Sequence, residues 1–124
     1  MYGGLRRTMK LSQAETLAVN ISQILKDSKG IVGYKLARNL RMINEELREY
    51  YEIKERLLRK YGTADGDTLM LSKDSANYPL FVEEMGKIAD QEVNFVFRKI
   101  SEEEIAESGL SGDQIYLLTD LLEE

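Results

Sequence analysis

Residues 33–62 read GYKLARNLRMINEELREYYEIKERLLRKYG, and this stretch decides the fold. Leu36, Leu40, Ile43, Leu47, Tyr50, Lys54, Leu57 and Tyr61 recur at alternating intervals of four and three. Such a row lies along one side of an α-helix and packs it lengthwise on a neighbour. Gly62 follows and suits a C-terminal cap. A helix from Gly33 to Tyr61 is about 43 Å long at 1.5 Å per residue. A compact chain of this size is only about 35 Å across. The helix is therefore predicted to project beyond its own body. Its half-apolar end wants a cover, most simply a second copy.

Upstream, Ser12 and Glu15 have the spacing of a capping box. Ala14, Leu17, Ala18, Ile21, Ile24 and Leu25 follow at helical spacing. They predict an amphipathic helix from Ser12 to Asp27, stopped by Ser28-Lys29-Gly30. The two helices make a basic hairpin over 11–62. Residues 1–10 read as a flexible or edge arm. Within them, Met9-Lys10-Leu11-Ser12 resembles a protein start, and Tyr2-Gly3-Gly4-Leu5-Arg6-Arg7 an extension ahead of it.

Downstream, 63–76 is a turn-rich linker with a turn at Asp65-Gly66 and a short strand at Leu69-Met70-Leu71. In 77–124, Pro79 suits the first turn of a third helix. Tyr78, Phe81, Val82, Met85, Ile88 and Ala89 form the apolar face of that helix. Val93, Phe95 and Phe97 alternate with Asn94, Val96 and Arg98, which is a strand pattern. Ser101 to Glu104 and Ser111 to Gln114 open two short helices, the second burying Ile115, Leu118, Leu121 and Leu122. The expected fold is α+β, mostly α. A long two-helix hairpin precedes a smaller helical part with one or two short strands, in a single domain over 1–124.

The 124 residues contain no cysteine, histidine or tryptophan, and one proline. Disulfides, thiolate chemistry, Cys/His zinc sites and imidazole catalysis are excluded together. No apolar run approaches a transmembrane length, and no signal sequence follows the N-terminal basic residues. The expected setting is the cytosol. Asp65 and Asp67 lack the distal glutamate of a calcium loop. Glu102, Glu103 and Glu104 point in different directions from one helix and read as complements of its dipole. There is no phosphate loop and no nucleophile elbow, so no enzyme, cofactor or metal is expected.

Net charge is -5, which argues against duplex DNA as a partner. The charge is uneven: residues 1–62 hold 13 Lys and Arg against 7 Asp and Glu, and residues 63–124 hold 4 against 15. Solvated faces, self-association of opposite halves, or a basic seat for an anionic ligand would each use this asymmetry.

Two clusters are candidate ligand contacts. Lys54 interrupts the apolar row beside Tyr50 and Tyr51. Its ammonium would reach water along the helix, pair with an acid of another copy, or hold a phosphate or carboxylate. Tyr34, Lys35, Arg38, Asn39 and Arg41 lie in the first turns of the long helix. Tyr34, Arg38, Arg41, Glu45 and Arg48 share a stripe opposite the apolar row, and arginine suits bidentate phosphate contact. This stripe is either solvated or turned towards a ligand or subunit.

The segments YKLARNL (34–40), EELREY (45–50) and LRKYG (58–62) resemble a family of small phage- and prophage-encoded proteins of uncharacterised activity, over about residues 9–100. The resemblance implies a viral setting inside a host cell, and it supplies no catalytic residues. It implies a non-enzymatic homo-oligomer that sequesters an anionic, nucleotide-derived defence signal. The ligand set would be Tyr34, Lys35, Arg38, Arg41, Tyr50, Tyr51 and Lys54. The alternative is a protein–protein module, either an inhibitor of a host protein or a virion-assembly accessory.

Overall fold

The computed structural model describes residues 4–122. It is α+β and mostly α. Strand β1 (Leu5–Lys10) leads directly into α1 (Leu11–Ile24), which ends in a 3₁₀ turn over Leu25–Asp27. Helices α2 (Gly30–Glu46) and α3 (Arg48–Tyr61) follow, then a hairpin of β2 (Thr63–Asp65) and β3 (Thr68–Met70). Helix α4 (Tyr78–Ala89) precedes strand β4 (Glu92–Phe97). Two short helices, α5 (Glu102–Ala106) and α6 (Gly112–Tyr116), and a 3₁₀ turn over Thr119–Leu121 complete the described chain.

The long helix expected over Gly33–Tyr61 is broken once. Leu47 has ψ -1°, far from the helical value, and separates α2 from α3. Hydrogen bonds continue across the break, from the Leu47 N–H to the Ile43 carbonyl and from the Tyr51 N–H to the Leu47 carbonyl. No proline or glycine lies there. The fully buried Leu47 side chain sits where α2, packed on α1, gives way to α3, packed on α4. The C-terminal half of the long helix is thus covered by α4 and the β2–β3 hairpin. It does not project bare from the body.

Of the two readings of the N-terminal arm, the structure takes the edge strand. Leu5–Lys10 pairs antiparallel with β4, from Leu5 opposite Phe97 to Lys10 opposite Glu92. Met9 enters the core beside Phe95 and Phe97, whose rings stack 5.1 Å apart. The alternation expected in β4 holds, with Phe95 and Phe97 buried and Asn94, Val96 and Arg98 outside. The remaining arm residues, Met1–Gly3, lie outside the described residues.

Helix α1 starts two residues before its expected cap. The Lys10 N–H donates to the Gln13 side chain at 2.8 Å, so Gln13 closes the N-terminus and Glu15 is left available. Both later capping boxes form as expected, at Ser101 with Glu104 and at Ser111 with Gln114. The linker carries a hairpin whose two-residue turn is Gly66-Asp67, with Gly66 at φ +64° as such a turn requires. Gly62 ends α3 for a different reason than a left-handed cap. Its φ is -97°, but a Cβ there would lie 2.5 Å from the Met70 carbonyl oxygen and 2.6 Å from that of Leu58. The hairpin folds back too closely for any side chain.

Candidate functional site

The seven residues singled out above do not converge. Lys35, Tyr50 and Lys54 face inward and bind parts of the chain to one another. Tyr34, Arg38, Arg41 and Tyr51 lie on the outer side of α2 and α3.

Lys54 is partly exposed and ion-paired within its own chain. Its Nζ is 2.9 Å from one Glu15 carboxylate oxygen, and the Tyr50 hydroxyl donates to the other at 3.1 Å. The glutamate that did not cap α1 thus ties α1 to α3. Tyr50 is almost fully buried. Burial, then the Glu15 charge and hydrogen bond, push its phenol up to about 12. Tyr51 is raised as well, by burial first and then by Glu15. The two rings are tilted at 56° with centroids 5.8 Å apart. The Lys54 charge is met within its own chain, so it needs neither a ligand nor a second copy.

Lys35 is used in the same way. Its Nζ donates to the Lys99 carbonyl and to Glu104, both at 2.7 Å. The Lys35 contact, then the hydrogen bond from the Ser101 backbone N–H, hold the Glu104 carboxyl below its ordinary value. Asn39 sits among the basic residues in sequence but is buried. Its Oδ1 accepts from the Arg98 N–H at 2.8 Å, and its Nδ2 donates to the Arg98 carbonyl at 3.1 Å. The Lys29 N–H also donates to the Ser108 carbonyl at 2.9 Å. The inner side of the start of α2 is therefore tied to the C-terminal segment, while Ile31, Tyr34 and Arg38 stay exposed.

The outer side is different. Tyr34 is half exposed, with the Arg98 guanidinium 5.7 Å from its ring centre. Arg41 pairs loosely with Glu45 at 3.5 Å, and both are well exposed. Arg38 is exposed and makes no ion pair among the described residues. Beside this stripe runs an open groove of about 820 Å³. Leu25, Ala37, Leu40 and Tyr51 give it an apolar floor. Arg41, Glu45, Arg48, Glu52 and Glu55 line its edge. Neither Glu52 nor Glu55 was expected at a site. They continue the stripe at the same helical spacing, and that spacing is the signal that finds them. Among the described residues, no three carboxylates converge in a way that would hold a metal ion.

No helix of the described chain is long and apolar enough to cross a membrane. Comparisons with protein-family models, curated proteins and solved structures give no match.

Proposed function

We propose that this chain is a non-enzymatic protein–protein interaction module that works through the outer side of α2 and α3. The groove carries this reading. Its apolar floor offers area to bury, and its edge holds charges of both signs. Area with alternating charge suits a protein surface, where charge pairs set register and apolar contact supplies affinity. A small anion would need cations to converge, yet three carboxylates share this edge with two arginines. The inward use of Lys35 and Lys54 further reduces the cationic set.

A second reading keeps the anion. In it the chain is a phage-type oligomer that sequesters a nucleotide-derived signal. The Tyr34 ring, flanked by Arg98, and the exposed Arg38 favour it. They offer stacking and a planar cation at one end of the stripe. Native mass spectrometry at low ionic strength, followed by denaturation, separates the two. Assemblies of protein mass alone support the module. A small anion carried in and released intact overturns it in favour of sequestration.

A further inference from the structure

The stripe on α2–α3 has an internal symmetry. Read in order, Arg38, Arg41, Glu45, Arg48, Glu52 and Glu55 are spaced three, four, three, four and three apart. Reversing the order exchanges every sign: Arg38 maps on Glu55, Arg41 on Glu52, and Glu45 on Arg48. The next positions outward, Tyr34 and Arg59, map on each other as an aromatic ring and a guanidinium. The centre of this pattern falls between Glu46 and Leu47, where α2 and α3 meet. A two-fold contact brings one patch against itself, so each charge must find its opposite across the axis. A stripe that is its own reversed complement satisfies this requirement.

We propose that the outer side of α2–α3 binds a second copy of this chain, antiparallel, about a two-fold axis passing beside Leu47. This rests on reading that side as a protein interface. Arg41 then meets Glu52 of the second copy, Arg38 meets Glu55, and Glu45 meets Arg48, each twice by symmetry. The alternating intervals of three and four are those of residues that face each other in paired helices. In antiparallel pairing the same flank of each helix falls on the same side. The two grooves therefore adjoin, and Ala37 and Tyr51 of both copies share one apolar strip. From Tyr34 to Arg59 the stripe rises roughly 38 Å. The contact is charge-rich and weakens with salt.

The test is a charge exchange read by analytical ultracentrifugation of the full chain in low-salt buffer, with circular dichroism to confirm folding. Wild type is expected to dimerise. Arg41→Glu alone and Glu52→Arg alone each place two like-charge contacts in the dimer and should weaken it tenfold or more. Mixing these two variants restores both pairs in a heterodimer, and the dimer should return. Glu45→Arg and Arg48→Glu repeat the test at a second pair, should a first variant fail to fold. A wild-type monomer at high micromolar concentration overturns the pairing while leaving the surface open to another protein. A dimer indifferent to reversal, or a mixture that fails to recover, overturns it too. A bound protein of different mass in place of a second copy overturns the pairing and upholds the interaction module.

Discussion

Asn39 joins the long helix to the end of the sheet through two hydrogen bonds, and its replacement is a sharp test of how the fold is held. Both of its amide atoms are used, one for the Arg98 N–H and one for the Arg98 carbonyl. Each such bond contributes about 0.5–1.5 kcal/mol net. Asn39→Ala removes both and leaves a small void, so the expected loss is about 2–3 kcal/mol. That is a large share of the roughly 5–15 kcal/mol of a typical domain. Asn39→Asp gives a sharper result. One carboxylate oxygen still accepts from the Arg98 N–H, but the other meets the Arg98 carbonyl oxygen. Repulsion and burial raise the folded pKa of the new group above its unfolded value of about 3.9. Its protonated form donates to that carbonyl, as the amide did. The difference between this variant and wild type is therefore smallest below the unfolded pKa and grows as pH rises through the folded one. Urea unfolding at pH 4 and at pH 7 measures both variants. An alanine variant within about 0.5 kcal/mol of wild type, or an aspartate variant whose deficit is the same at both pH values, refutes the reasoning.

Three further outcomes follow from the same contacts. The raised Tyr50 phenol stabilises the fold fully below its unfolded value of 10.0, and this is lost as pH rises towards about 12. Glu15→Gln should shift the phenol down, which an ultraviolet titration of the tyrosines reads. Glu104 behaves oppositely: its depressed carboxyl stabilises the fold above the ordinary carboxylate pKa and loses that effect as pH falls through the folded value. Glu104→Gln should flatten the acid limb of a thermal-melting profile, and an unchanged limb would count against the Lys35 contact. Gly62→Ala forces a methyl group between two carbonyl oxygens and should cost about 1–3 kcal/mol, whereas Gly86→Ala, which meets nothing within 4 Å, should not destabilise.

Periodic features are legible in the sequence alone. The apolar row from Leu36 to Tyr61, the alternation in β4 and the two serine caps each state their geometry within a few residues. Features set by distant partners are not. Nothing near Leu47 in sequence announces a break, because its cause is packing on two different helices. Glu15 looked like a cap since Ser12 precedes it at the right interval, but Gln13 reached Lys10 first. Lys54 looked exceptional only because its counter-ion lies 39 positions upstream. Leu5–Lys10 looked like an arm because half of its ladder lies on β4. Site residues divided along the same line. Tyr34, Arg38 and Arg41 lie outside as the wheel placed them, while Lys35, Tyr50 and Lys54 were claimed by remote acids.

The pairing of β1 with β4 also sets an order of events during synthesis. Leu5 is made before its partner Phe97, which follows it 92 positions later. Helices α1, α2 and α3 can close on one another as they emerge, through local contacts that form quickly. The first strand must wait for the fourth, and joining them closes a long loop at an entropic cost that local structure does not meet. Until then Met9 lies on an unpaired strand beside a nascent helical hairpin. A chain stalled before Phe97 would therefore hold its helices together while offering an open strand to any neighbour. Pairing with β4 is the step that removes this hazard.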